Sequence, residues 1–362
     1  MIKENLAVCF FGIYNPKYSR NRVLIQGLEE NNIKVIQCRT ELKGVIKYFD
    51  LIKKHWKVRK QYDVLFVAFP GFQSMILAKF LTRKKIVFDS FAPLYESEVL
   101  DRKNTKKGSF KARYYWHLDR LSAKWADIVL LDTDEHIKYF VKEFGLKKEK
   151  FVRVLVGTDN KVLRPIKIDD NLNSFVVHFH GNDIPLQGIE YILETVKLLE
   201  KNVNIKFNII GSSIKEKYEG DNYKNVTFID NISYEKLPEY INKADICLGI
   251  FGNTEKAKRV IPNKVYEAAA CKKPVITTDT PAIRELFINE DLFLIPTTNP
   301  EKLIEAILKL KEDPILRNRL AENAFNKLKN RCTPEIIAID FLDKIETIKK
   351  YYNKHILKNE EI

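Results

Sequence analysis

The sequence predicts an α/β protein made of two Rossmann-like, doubly wound domains that face each other across an interdomain cleft. Two observations lead there. At 362 residues the chain is too long for one domain of ordinary size. In both halves, short apolar runs alternate with amphipathic segments of helical period, the pattern of βαβ units feeding a mostly parallel sheet. The composition, 45% hydrophobic and 30% charged, excludes a disordered chain and a polytopic membrane protein.

Each half supplies six strand-like runs. In the first they cover residues 6–11, 35–38, 64–69, 86–89, 128–131 and 152–156; in the second, 175–179, 206–210, 226–228, 246–250, 275–277 and 292–295. Asp, Asn and Pro crowd together over 165–174, which places the seam there. The expected domains are thus 1–165 and 166–338, with a C-terminal helix over 339–362 returning to the first.

Five scattered cysteines, none in Cys-x-x-Cys spacing, indicate neither disulfides nor a zinc knuckle. The N-terminus lacks a signal-peptide layout, so a cytoplasmic location is expected. The longest apolar stretch, from Val64, is broken by Pro70 and Gly71, well short of the roughly 20 residues of a membrane span. Charge is unevenly spread. Residues 1–165 carry 33 Lys and Arg against 18 Asp and Glu, whereas the remainder carries 29 against 30. The first half is therefore expected to meet something anionic, with the inner face of the cell membrane as one candidate. No nucleic-acid module accompanies the basic stretches, so nucleic acid is not expected as a partner.

Ligands of doubly wound sheets sit beyond the carboxyl ends of the strands. Three such loops stand out: FGIYNPKYSR after the first strand, HGNDIPLQG after the seventh, and the late segment FGNTEKAKRVIPNKVYEAAACKKP. In the last, Pro262 precedes a run of strong helix formers from Asn263 to Ala270, so a helix N-terminus with free amides and a positive dipole end is expected there. Lys264 lies three residues before Glu267 and shares its face.

The second half resembles the donor domain of family-4 glycosyltransferases, of GT-B fold, through IIG at 209–211, VTFIDNISYEKLPEYINKADICLGIF, PNKVYEAAACKKPVITTD and NPEKLIEAILKLKEDP. The first half resembles the acceptor domain more loosely, through FGIYNP, ADIVLLDTDEH and VGTDNKVLRP. The resemblance implies a retaining, metal-independent transfer from a nucleotide-diphosphate sugar, with no cofactor, to a glycan or lipid-linked acceptor of the cell envelope. It implies that Glu267 holds the nucleotide ribose, that Pro262, Asn263, Lys264 and Val265 present the diphosphate site, and that Gly12, Gly181, Asn182 and Gln187 line the donor. A catalytically silent GT-B-like partner subunit and a sugar-nucleotide epimerase stand as alternatives.

Three positions depart from the family pattern. Eight residues before Glu267 stands Arg259 where the family has a carboxylate, leaving Glu255 as a substitute or Arg259 as a phosphate contact. Asn182 and Gln187 occupy places where the family carries Arg and Lys toward the diphosphate. Asp89 ends a strand where the family often has a histidine, and a carboxylate there could orient a hydroxyl or take its proton; capping is the other reading. Arg20 and Arg22 could add charge to the first loop, and His180 is a candidate acceptor-side contact. Asp132-Thr133-Asp134 imitates a metal motif, but its place before a helix favours capping, and His178 with His180 at spacing two favours packing, so no metal is expected. Ile46, Phe49, Ile52 and Trp56 recur at helical spacing among lysines, as in a membrane-surface helix or in an outer helix of a doubly wound domain.

Overall fold

The computed structural model describes residues 6–168, 174–201 and 204–359, with side chains in the last helix as far as Glu346. The chain divides into two compact units, Met1–Gly157 with Thr333–Ile362, and Thr158–Cys332.

The first unit runs β1 (Ala7–Gly12), α1 (Ser19–Glu30), β2 (Lys34–Arg39), α2 (Ile46–Val58), β3 (Val64–Val67), α3 (Phe72–Leu81), β4 (Lys85–Asp89), a π-helical turn over Tyr95–Asp101, α4 (Phe110–Trp125), β5 (Ile128–Leu131), α5 (Asp134–Phe144) and β6 (Phe151–Arg153). The second runs β7 (Phe175–His180), α6 (Ile189–Leu198), β8 (Ile205–Ile210), α7 (Ser212–Tyr218), β9 (Val226–Ile229), α8 (Leu237–Lys243), β10 (Ile246–Leu248), α9 (Asn263–Ala270), β11 (Val275–Thr278), α10 (Pro281–Arg284), β12 (Phe293–Ile295), α11 (Pro300–Glu312) and α12 (Pro314–Arg331). The last helix, α13 (Pro334–Asn359), belongs to the first unit.

Each unit holds a six-stranded sheet, in the orders β2-β1-β3-β4-β5-β6 and β12-β11-β10-β7-β8-β9, and every pairing is parallel. The twelve strands among the described residues all fall on the apolar runs of the sequence. Both faces of the sheets are covered, which is why these runs read as nearly continuous hydrophobe rather than as alternation. In β1, Cys9 and Phe11 join the core under α3, α4 and α5. Phe10 turns to the other face and stacks on Phe66 at 4.4 Å, and Phe66 meets Phe341 of α13 edge-on at 5.6 Å. α1 packs on α13. In the second unit Phe175, Val177 and Phe179 point into a core closed by α6 and α11, which leaves His178 and His180 on the opposite face.

The boundaries differ from the expected 165/166 and 338/339. The first unit ends at Gly157, because the segment after it is tied to α8 of the second. Ile166 donates its N–H to Asn242 Oδ1 at 3.0 Å, and Asn242 Nδ2 donates to the Arg164 carbonyl at 3.1 Å. The expected seam lay in part on residues 169–173, outside the described residues. The chain returns to the first unit at Thr333, six residues before the expected start of the last helix.

Candidate functional site

In the second sheet the strand order reverses between β7 and β10, which pair directly. Loops leaving the carboxyl ends of two strands at such a reversal diverge and leave room for a ligand. The loop after β7 carries Gly181 to Gly188, and the segment after β10 leads into α9. Gly188 has φ +63°, and a Cβ there would stand 2.4 Å from the Gly252 amide nitrogen, so only glycine lets the two loops meet. A Cβ on Gly181 would stand 2.0 Å from Gln187 Oε1.

Glu267, one turn into α9, is buried, and its Oε2 lies 2.7 Å from His180 Nε2. His180 Nδ1 lies 3.0 Å from His178 Nε2. Burial holds the His178 imidazole well below its ordinary pKa, and His180 and Lys264 add to the effect, so His178 is neutral. Its Nδ1 has no hydrogen-bond partner. A buried bare lone pair costs less than an orphaned N–H, so the proton belongs on Nε2 and is donated to His180 Nδ1. His180 must then donate Nε2–H to Glu267. Both rings thus point their protons toward the carboxylate, which keeps Oε1 for another donor.

Lys264 is also buried. Its Nζ donates to Gln187 Oε1 at 2.5 Å and stands 3.6 Å from the centre of the Phe179 ring. Burial pushes the ammonium well below the usual lysine range, and the neighbouring Glu267 charge opposes that shift. The first amides of α9, at Asn263 and Lys264, precede any carbonyl partner within the helix. The Val265 amide is given to the Pro262 carbonyl at 3.0 Å and its side chain is fully buried in the core. Pro262 and Asn263 are half-buried, while Asn182 is exposed on the loop after β7. Arg259 lies 3.4 Å from Glu255 Oε2, and Glu255 also binds Lys258 at 2.7 Å.

The polar groups of the first unit are differently placed. Asp89 and Arg20 are both fully buried and face each other at 3.1 Å, and Arg20 Nη1 also donates to the carbonyls of Val154 and Leu155 at 2.6 and 2.8 Å. Burial raises the Asp89 carboxyl above its usual range, with Arg20 pulling the other way. Asp89, expected to orient a hydroxyl, take its proton or cap, and Arg20, expected to add charge to the first loop, are paired with each other and knit α1 to the ends of β4 and β6. Arg22 is half-buried in α1, and Gly12 ends β1 at φ +130° with Ser74 against it. His180, expected on the acceptor's side, belongs instead to the Glu267 cluster.

Thr133 caps α5, its hydroxyl accepting the His136 N–H at 3.1 Å, as its place in the sequence suggested. What the sequence did not disclose is that the His136 ring lies between Asp132 at 2.9 Å and Glu96 at 3.0 Å, all three buried. Burial alone would lower the imidazole pKa, but the Glu96 charge and the hydrogen bonds to Asp132 and Glu96 outweigh it and raise it to about 9. No spacing rule could pair His136 with Glu96, which arrives from the π-helical turn.

Comparisons with known proteins bear on both units. Residues 164–327 match the family model described as glycosyl transferases group 1. A protein of the cps region of Klebsiella pneumoniae is 26% identical over 211 residues, 55% of this chain and 56% of that protein. The capsular polysaccharide biosynthesis glycosyltransferase CapM of Staphylococcus aureus is 25% identical over 281 residues, 72% of this chain and 70% of CapM. The chain thus spans little more than half the length of the Klebsiella relative. Among solved structures, sucrose-phosphate synthase from Thermosynechococcus elongatus aligns with a TM-score of 0.71 at 14% identity, over 98% of this chain and all of that one. Anabaena HepE, solved in complex with UDP-glucose, aligns with a TM-score of 0.69 at 15% identity, over 96% of this chain and all of HepE. The two parallel-sheet, Rossmann-like units are those of the GT-B fold, and the family match together with these relatives supports a glycosyltransferase.

Proposed function

We propose that the chain is a family-4 type enzyme that transfers a sugar from a nucleoside diphosphate sugar to an acceptor, with retention of anomeric configuration and without a metal ion. One observation carries the reading. Beside the start of α9, Glu267 is oriented by a histidine that uses only one of its oxygens, while Lys264 of the same helix face reaches the Gly181–Gly188 loop.

In this reading Glu267 Oε1 accepts hydrogen bonds from the ribose hydroxyls, and His180 and His178 act as positioning residues that keep the carboxylate turned to the sugar. The diphosphate lies at the Asn263 and Lys264 amides, where the helix dipole and the Lys264 ammonium meet the charge that grows as the glycosidic bond breaks. The acceptor oxygen attacks from the side the leaving diphosphate vacates, and a phosphate oxygen takes its proton. No protein nucleophile is needed, which agrees with Asp89 being sealed against Arg20. Asn182 supplies no charge to the diphosphate, so the helix end and Lys264 carry more of that task than the family pattern would ask of them.

The acceptor is a cell-envelope glycan or lipid-linked saccharide, met at the cytoplasmic face of the membrane; the name of CapM and the cps location of the Klebsiella relative support that class. Titration calorimetry with UDP, GDP and their sugars tests the donor side: one nucleotide pair is expected to bind with micromolar affinity, and no heat with any would favour a silent subunit. Proton NMR of the product on a simple acceptor then reads the anomeric outcome, and an inverted linkage would overturn the retaining mechanism.

A further inference from the structure

The helix α2 carries two apolar stripes, and only one of them is covered. Leu51 and His55 are buried and Val58 packs on the same core. On the opposite side, Ile46, Phe49, Ile52 and Trp56 follow one another at helical spacing, with Phe49 66% and Trp56 65% exposed. A helix that merely covers a sheet needs one apolar face; the second face has nothing to bury against within the unit.

Nor is α2 alone. Tyr48 on α2 donates to Gln73 Oε1 of α3 at 3.5 Å, and Gln73 Nε2 donates to Tyr114 of α4 at 3.3 Å, so the amino ends of three helices converge. Phe110, the first residue of α4, is 89% exposed there, and Tyr114 is exposed beside it. The surroundings are cationic. Residues 42–60 hold seven Lys and Arg and one acid, Asp50, which is paired with Lys54 at 2.7 Å; residues 103–113 hold five Lys and Arg and no acid. The Arg59 guanidinium lies over the Trp56 ring at 3.6 Å, a neighbour that can turn to a headgroup phosphate while the indole enters the interface.

We infer that this face docks on an anionic phospholipid surface, with Phe49, Trp56 and Phe110 as inserted anchors and the surrounding lysines facing the headgroups. Two properties favour a bilayer over a protein partner. The centre of a protein interface is depleted in lysine, whereas here lysines alternate with the aromatic residues. An exposed apolar stripe in a basic frame is the arrangement that combines burial at the acyl boundary with attraction to acidic lipid. No helix among the described residues is long and apolar enough to cross a membrane, so the contact is one of lying on the surface. The inference deepens the proposed function, which sets the acceptor at a membrane face, by naming the surface that makes the contact; lipid binding and nucleotide binding are read separately, so either can fail alone.

Sedimentation of the full chain with sucrose-loaded vesicles tests it. Binding is expected to phosphatidylcholine vesicles containing about one third phosphatidylglycerol, and to be weak on phosphatidylcholine alone. The double variant Phe49→Ser, Trp56→Ser is expected to lose at least about tenfold in partition while keeping its melting temperature and nucleotide affinity. Phe110→Ser, at a site open on nearly all sides, gives a smaller loss with no risk to folding. Lys53→Glu with Lys57→Glu should weaken binding most at low salt. Failure of the wild-type chain to sediment with the acidic vesicles at low salt would overturn the proposal. So would equal binding by the serine variants, or a concentration-dependent self-association that the serine variants abolish while lipid has no effect.

Discussion

Two histidines of this molecule each hold a carboxylate, and they are built for opposite ends. His136 sits between Glu96 and Asp132, none of the three reaching solvent, and its pKa is raised to about 9 by charges that outweigh burial. His180 holds Glu267 from one side only, is backed by a neutral His178, and keeps 16% of its side chain open. The first arrangement commits both ring nitrogens to carboxylates in a pocket closed to solvent and acts as a fastener between the π-helical turn and α5. The second leaves one carboxylate oxygen unspent beside a helix amino end. The difference lies in access: the sealed cluster keeps even the unpartnered Asp132 Oδ2 out of reach, whereas the Glu267 cluster stays partly open.

The largest effect should come from breaking the closed cluster. Replacing Glu96 by Ala leaves a buried imidazolium short of a partner and is expected to cost about 3–5 kcal/mol of unfolding free energy, read by urea denaturation. Arg20→Ala, which strands Asp89 in the same way, belongs in the same range. Nucleotide affinity of the protein that remains folded should not change with Glu96→Ala, and a parallel loss of affinity would mean the two clusters are not independent.

Next in size is the pH dependence of that cluster. Since the folded pKa of His136, about 9, lies above the unfolded value of about 6.5, its contribution to stability is fully present below about pH 6.5 and is lost as the pH climbs through about 9. The loss amounts to at most roughly 3 kcal/mol. Denaturation at a series of pH values, with the ring resonances of His136 followed by NMR, checks it; a ring that titrates near 6 would show that the carboxylates do not hold the proton.

Opening the comparison from the other side, Glu267→Gln should weaken nucleotide binding by about 10- to 100-fold, the equivalent of about 1.5–3 kcal/mol for a lost charge-assisted hydrogen bond, with a smaller effect on stability. His180→Phe should retain some of the affinity and lose mainly the orientation of the carboxylate. If Glu267→Gln binds as tightly as the wild type, the ribose assignment fails.

The sequence disclosed the strands and the α9 segment because both rest on local chemistry: apolar runs buried on two faces, and a proline before a run of helix formers. The place of Glu267 and Lys264 at the start of a helix was legible for that reason, whereas their roles and those of Gly181 and Gly188 came only from the family resemblance. The pairing of Arg20 with Asp89 was not legible, since nothing local reveals that residues 69 apart will meet in a sealed pair. Glu96 was missed for the same cause, and so was the contact of His180 with Glu267, 87 residues away. The exposure of Phe49 and Trp56 was also beyond the sequence, where helical spacing alone fits an inward and an outward stripe equally well.

Lys264 offers the finest test of what a partly open cluster can do. Burial pushes its ammonium well below the usual lysine range against the pull of Glu267, so its charge is held less firmly than that of a solvated lysine. Bringing a diphosphate to the helix end adds negative charge beside Nζ and must raise that pKa, so binding is expected to take up protons over the pH range in which the free amine loses its charge. A nucleotide sugar is the right probe, because its diphosphate has no proton to lose near neutral pH and cannot mask the uptake. Calorimetry in buffers of different ionisation enthalpy should then give apparent binding enthalpies that change with the buffer, and Lys264→Met should remove most of that dependence along with part of the affinity. A buffer-independent enthalpy for the wild-type chain would mean the lysine is charged before the ligand arrives, and the second cluster would then be nearer in kind to the sealed one than its open face suggests.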